Sequence, residues 1–423
     1  MSYKDMLGRT EVVTVNIAEE IFYESFKVPE PGFETLPIVN TLSRVVAEDV
    51  VSESPLPEFS RSSMDGYAVL AKDTFGATES MPAYLQLVGE IPMGEEPRMA
   101  LEKGRAVRIS TGGMMPSGSD AVVMLEQTQA LGDGEIEVLK PVAPGENAVQ
   151  VGDDVKAGET LLARGHRVRP QDMGALAGIG VTEVKVYKRP RVAIINTGNE
   201  IIEASRIPAP GQVRDINSYN LAGLVLQAGG DPVRLGIYRD DYGSIKAAVS
   251  RALADADIVA LTGGSSVGTG DHTAKVIDDL GGPGVLVHGV SIRPGKPVII
   301  GIAQGKPVFG LPGHPVAVSV SFEVFLRPLI KKLSGEIDPL GIEGIPSVRV
   351  VRAKVARNYS SAQGREDHLR VALEMVGGQL MAIPILGKSG LITTLVKAHG
   401  TVVIPASRIG LEKGEIVDVK LFD

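Results

Sequence analysis

The chain of 423 residues contains no cysteine. That absence removes disulfides, thiolate metal sites, iron–sulfur clusters and cysteine nucleophiles together. Any metal must be held by carboxylates, carbonyls, hydroxyls or imidazoles, a donor set that favours a hard ion such as magnesium. The six histidines are scattered and never fall into HxH or HExxH spacing, so no zincin-type motif is present. There is neither a P-loop GxxxxGK(S/T) nor a spaced GxGxxG, which lowers P-loop kinase and simple dehydrogenase on the list of activities. No apolar run approaches the roughly 20 residues of a membrane span. The opening "MSYKDMLGRTEVVTVNIAEE" is charged throughout and lacks the apolar centre of a signal peptide. We therefore expect a soluble, cytoplasmic protein without a membrane partner. A net charge of −8 argues against broad nucleic-acid affinity, so an anionic ligand would need a local basic cluster. Tandem repeats and low-complexity tails are also absent.

What is present is a large apolar fraction, 43%, broken by 50 glycines and 27 prolines. At about 100–200 residues per domain the length suggests two to four domains. From 189 to 335 the sequence alternates strand-like and helix-like segments: "RVAIINTG", "NSYNLAGLVLQAGG", "PVRLGIY", "YGSIKAAVSRALADA", "DIVALTGG" and "DHTAKVIDDLGG". This alternation predicts a doubly wound, largely parallel α/β sheet, with Gly229 stopping its helix and a longer helix from His314 to Leu333. Residues 51–154 carry short apolar runs separated by Pro and Gly, the texture of a β-rich module. A hairpin-like "GETLLARGHRV", a short helix and a strand follow in 155–188, which we group with 1–50 as a discontinuous linker or dimerisation domain. The last part, 336–423, reads as a small β-barrel.

Ligands of doubly wound sheets sit beyond the carboxyl ends of the strands. "NTGNE" and "LTGGSSVGTGDHT" both stand at such ends. Glycines there let backbone N–H groups approach an anion, and a following helix start adds a favourable dipole. Thr197, Gly198 and Glu200 belong to the first segment. Asp215 in "VRDINSYN" precedes a helix, where capping by Asn217 or Ser218 is the ordinary alternative. "SIRPGKP" offers Arg293 and Lys296 around a rigid turn, and "GLPGHPVAV" sets Pro312, Gly313 and His314 ahead of a helix with Pro315 in its first turn. In the β-rich module, Asp65 lies in "SSMDGYAV", although Asp-Gly is also a common turn pair. Thr111 closes a strand at "TGG", and Asp153 with Asp154 sits in a Gly-bounded loop that suits either Mg²⁺ or solvent. An anion-cradling α/β domain with hard-metal carboxylates and local cations suits a phosphorylated or nucleotide-linked substrate.

Taken in order, "SSMDGYAV", "TGG…P.GSDAVV..E", "GENAVQVGDDVKAGE", "NTGNE", "GGSSVGTGD", "RPGKP", "GLPGHPVAV" and "GKSGLITTLVKAHGTVVIP" resemble the molybdopterin molybdenumtransferase family, MoeA and the gephyrin E domain. The resemblance runs from about residue 60 to 405. It implies an α/β domain like that of the molybdopterin adenylyltransferases, flanked by β-rich modules and a C-terminal β-barrel. The implied reaction inserts molybdate into adenylylated molybdopterin with Mg²⁺-dependent release of AMP, at a homodimer cleft. It further implies the molybdopterin adenylyltransferase and recipient molybdoenzymes as partners. Carried over by motif, Asp65, Thr111, Asp154, Glu200 and Asp215 would be catalytic. Asp257, Gly263, Gly264, Ser265, Gly268, Asp271, Arg293, Lys296, Pro312, Gly313 and Ser389 would bind substrate, with Asp215 and Asp257 holding the metal. Val149 stands where the family usually has arginine, Asn199 where it has aspartate, His314 where it has asparagine and Arg293 where it has lysine. These departures open tungstate as an alternative to molybdate. The rival readings are a molybdopterin adenylyltransferase and a gephyrin-like scaffold without catalysis.

Overall fold

The computed structural model describes residues 3–4, 11–132, 134–263, 270–337 and 349–422. The segment read as doubly wound forms a six-stranded sheet in the order Asp231–Tyr238, Arg191–Thr197, Ile258–Thr262, Lys306–Leu311, Ile299–Ala303, Gly284–His288. The first four strands are parallel, as the alternation requires. Ile299–Ala303 alone runs antiparallel to both its neighbours, because the short turn at Gln304 and Gly305 that joins it to Lys306–Leu311 leaves no room for a crossover helix. Helices Asn217–Ala228, Tyr242–Asp255 and Gly270–Asp279 connect the strands. Gly229 ends the first of them in the left-handed conformation. The C-terminal helical stretch is continuous from Pro315 to Leu333, with a π turn at Phe322–Leu326.

One face of this sheet is covered by an element from the far end of the chain. Helix Val15–Ser25 is capped by Thr14 and buries Ala18 and Phe22. Phe22 meets Phe309 at 5.8 Å between ring centroids. Segments 33–51 and 160–187 also pair across the sequence: Phe33–Pro37 lies against Glu183–Tyr187, and Val50–Val51 against Thr160–Leu162. The hairpin expected in "GETLLARGHRV" is therefore not formed, since Thr160–Leu162 finds its partner more than a hundred residues upstream.

The β-rich part of 51–154 is a six-stranded sheet with apolar residues buried on both faces. Its central strand Gly66–Val69 needs glycine at its first position, because a Cβ on Gly66 would lie 2.0 Å from the Val123 carbonyl oxygen. In the C-terminal part, strands Glu366–Val376, Gln379–Pro384, Val350–Val355, Ile416–Leu421 and Gly400–Ile404 close into a five-stranded barrel. Ile292–Arg293 pairs with Glu366–Asp367 at the barrel's edge. That short ladder brings the "RPGKP" turn of the α/β part against the barrel.

Candidate functional site

Adjacent strands Arg191–Thr197 and Ile258–Thr262 end side by side, with Asn196 opposite Thr262. Gly263 turns away with φ near 90°, and a Cβ there would lie 2.1 Å from the Thr197 carbonyl oxygen. Only glycine lets the two strand ends stay this close. Beyond them opens a cavity of about 720 Å³, walled by Glu200, Asp215, Asn217, Asp240, Gly263 and the Pro312–Pro315 turn, among others.

Asp215 is 4% exposed and fully engaged. Its Oδ1 accepts from Asn196 Nδ2 at 2.6 Å and from the Ser218 backbone N–H at 3.0 Å. Its Oδ2 accepts from Ser218 Oγ, with Arg234 Nη2 at 3.7 Å. Asn196 Oδ1 in turn accepts the Thr262 hydroxyl, so one carboxylate ties both strand ends to the next helix. Asp215 thus lines the cavity as a helix cap and buried ion-pair partner, its oxygens serving four donors. The metal-ligand expectation for Asp257 is corrected. That residue precedes Ile258, at the opposite end of the strand from Thr262, and accepts from the Arg191 N–H at 2.7 Å. Strand geometry puts that end about 15 Å from the cleft.

Among the described residues no group of three metal-binding side chains converges. The cleft still offers a hard cation the carboxylates of Glu200 and Asp240. Magnesium commonly takes one or two carboxylates and completes its shell with phosphate oxygens and water, so this donor set fits it. Asp240 was missed by the sequence reading, although "YRDD" at the end of strand Asp231–Tyr238 is the same strand-end signal.

A second cavity, of about 650 Å³, lies between the "RPGKP" turn and the barrel. Arg293, Lys296, Arg365, Arg370 and Lys388 line it against a single carboxylate, Asp367. That carboxylate is itself satisfied by Arg293 at 3.2 Å, Ser361 at 2.9 Å and Tyr359 at 3.2 Å. Burial, with Asp367 nearby, pushes the Tyr359 phenol above its usual range. Arg370 is 7% exposed, and burial depresses its guanidinium from the ordinary value. The Nε atoms of Arg365 and Arg370 are buried without a hydrogen-bond partner. Five cationic side chains around one already satisfied carboxylate leave a cavity that favours an anion. Arg365 and Arg370 escaped the sequence reading because "GREDHLR" looks like any polar strand until the barrel closes.

The two cavities share Pro297, Pro312 and His314 as a common wall. Ser389 lines the basic cavity, and its Oγ lies 2.9 Å from His314 Nδ1.

Asp65, Thr111 and Asp154 stand apart from both walls and are exposed, the first two at strand ends of the β-rich sheet and Asp154 in a turn whose N–H donates to the Leu56 carbonyl. Asp65 Oδ1 accepts from the Thr111 N–H at 2.7 Å and from its hydroxyl at 3.1 Å. The backbone bond, then the hydroxyl, hold the Asp65 carboxyl below its usual range. Val149, where a cation was missed, is paired directly with Arg61. Cross-strand neighbours sit about 5 Å apart at Cβ, so Arg61 returns a positive charge to this patch. Gly264, Ser265 and Gly268 lie outside the described residues, as does the side chain of Asp271.

Family profiles match nearly the whole chain: "MoeA N-terminal region (domain I and II)" over 13–180, "Probable molybdopterin binding domain" over 193–332 and "MoeA C-terminal region (domain IV)" over 352–422. A molybdopterin molybdenumtransferase of Nostoc sp. is 35% identical, covering 88% of this chain and 85% of its own length. That of Bacillus subtilis is 33% identical over 92% of this chain and 89% of its own. A crystal structure of the molybdopterin biosynthesis moeA protein from Pyrococcus horikoshii superposes with a TM-score of 0.83 at 32% identity, covering 97% of this chain and all of that one.

Proposed function

The chain belongs to the MoeA family of molybdopterin molybdenumtransferases, enzymes of molybdenum cofactor biosynthesis, and on that premise we propose how its residues divide the reaction. The substrates are adenylylated molybdopterin and molybdate. Water attacks the phosphoanhydride so that its P–O bond breaks and AMP leaves. The two dithiolene thiols displace an oxygen of molybdate, which departs as water, so that the metal passes to sulfur without change of oxidation state. The observation that carries this reading is the pair of adjoining cavities, one lined by carboxylates and the other by arginine and lysine side chains. Such a pair suits two anions that must react with each other.

The carboxylate-lined cavity takes the adenylylated pterin. The Asp215 network holds the strand ends rigid, so the backbone at Gly263 presents a fixed surface to phosphate. Asn217 Nδ2 anchors the Gly313 carbonyl at 2.9 Å, while its buried Oδ1 has no partner and suits a ring amino group. Glu200 and Asp240 would hold Mg²⁺, which when bound neutralises developing charge on the phosphoryl oxygens. Arg365, Arg370, Lys296 and Lys388 hold the oxyanion in the second cavity.

Asp65, Thr111 and Asp154 complete the site from a second copy of the chain. Their exposure outside both cavities, together with Arg61, suits such a contribution. Asp65 stays ionised at neutral pH, because its charged form is the one that Thr111 stabilises. It therefore acts as an orienting acceptor for the leaving or attacking oxygen, since a depressed carboxylate is a poor proton acceptor.

The test is AMP release from adenylylated molybdopterin at millimolar Mg²⁺ with and without molybdate, tungstate being run in parallel. Molybdate-dependent release is expected. Release with neither anion by a folded protein would overturn the reading in favour of a scaffold. Formation of the adenylylated pterin from ATP would transfer the chain to the adenylyltransferase reaction.

A further inference from the structure

His314 is the first residue before helix Pro315–Ser321, yet its side chain makes no capping bond to that helix. The ring instead points across to the barrel loop, where Nδ1 lies 2.9 Å from Ser389 Oγ. A second link joins the same two segments: the Val316 N–H donates to the Ser389 carbonyl at 3.1 Å. That backbone bond docks the loop whatever side chain stands at position 314. The imidazole contact is thus not needed to hold the barrel in place. It fixes the direction of a hydroxyl that would otherwise rotate freely.

We infer that His314 is a positioning residue for the oxyanion: its Nδ1–H donates to the Ser389 oxygen, which leaves the Ser389 hydroxyl hydrogen to be donated to an anion in the basic cavity. This inference rests on reading the basic cavity as the oxyanion pocket. Ser389 lines that cavity beside Lys388 and Arg370, whereas His314 borders both cavities. A tetrahedral oxyanion at neutral pH presents only acceptor oxygens, so a serine whose lone pair is held by the imidazole offers it an aimed donor. With His314 absent, the hydroxyl rotates freely and donates to solvent or to neighbouring carbonyls at the expense of the anion. Asparagine at 314 places its amide nitrogen, a donor, where the imidazole has Nδ1, without any counterpart of Nε2. Substitution by asparagine therefore isolates the bond in question.

The experiment measures molybdate affinity of the full-length chain by titration calorimetry, alongside the KM values for molybdate and for the adenylylated pterin. The variants are His314→Ala, His314→Asn, Ser389→Ala and the double His314→Ala with Ser389→Ala. His314→Ala and Ser389→Ala are each expected to weaken molybdate binding about five- to tenfold, the scale of one hydrogen bond. The double variant should bind no more weakly than the worse single one, because the residues act as a unit. His314→Asn should return to within about twofold of the unsubstituted chain, and the KM for the adenylylated pterin should hardly move in any variant. Unchanged affinity in His314→Ala, losses that multiply in the double variant, or no molybdate binding by the unsubstituted chain would each overturn the inference. Binding that follows the expected pattern without AMP release would leave it standing and refute the proposed reaction instead.

Discussion

Asp215 and Glu200 face the same cavity but differ in what their charge does. The carboxylate of Asp215 caps a helix, holds Asn196 and balances Arg234, while Glu200 is exposed at the strand end. Asp215→Asn should therefore lower stability by about 1–3 kcal/mol, through donors left facing an amide nitrogen. Glu200→Gln should leave the unfolding midpoint in place and raise the Mg²⁺ requirement for AMP release. Denaturant melts and a Mg²⁺ titration of both variants separate the roles, and equal stability of the two would contradict the assignment. Arg370 presents the reverse case, a buried cation with an orphaned Nε. Replacing it with an apolar residue of similar length removes a desolvated charge, while Asp367 keeps Arg293, Ser361 and Tyr359 as partners, so little stability is lost. Arg370→Met is accordingly expected to keep or raise the melting temperature without anion and to weaken molybdate binding at least tenfold. A large loss of stability with unaltered affinity would identify Arg370 as a structural residue.

At the scale of elements, helix Pro170–Gly178 shows how a charge placed at an N-terminus governs response to acid. Burial pushes the Asp172 carboxyl up, but hydrogen bonds from Arg169 and His166 outweigh it and hold the group at about 2. Because the folded value lies below the unfolded one, the stabilisation is complete above the unfolded value, about 3.9, and is lost as pH falls toward 2. Asp172→Asn should thus be less stable at pH 7, with the deficit shrinking between about pH 4 and pH 2 in urea melts. A deficit independent of pH would show that packing, not charge, is at stake. Other elements show what the sequence could reveal. Strands such as Gly66–Val69 and Ala121–Met124 were legible because unbroken apolar runs bounded by Gly and polar residues leave little choice. The pairing of Thr160–Leu162 with Val50–Val51 was not, since partner identity lies in tertiary contacts rather than in either segment. Helix Val15–Ser25 escaped for the same reason: the sheet that gives Phe22 its burial comes hundreds of residues later.

The whole molecule shows a similar division. Strand-end motifs announced the cleft, and Glu200, Gly263, Pro312 and Gly313 do line it. Residue type alone misplaced Asp257, because an aspartate flanking a strand reads the same at either end. The basic cavity was half visible, as Arg293, Lys296 and Ser389, but Arg365 and Arg370 acquire their meaning only when Ile292–Arg293 joins the barrel edge. Asp65 with its hydrogen-bonded Thr111, and Asp154, are exposed residues that one chain does not bring to its own cleft. The central claim is that these residues complete the cleft of a second copy. Subunit exchange tests it most directly: Asp65→Ala and Glu200→Ala proteins, each inactive alone, are mixed, allowed to reassort and assayed for molybdate-dependent AMP release. Random reassortment of a two-fold dimer places one intact site in half of the dimers, so about a quarter of the activity of the unsubstituted protein is expected. No recovery after exchange has been verified would mean that each chain uses its own Asp65, or none, and would contradict the shared site.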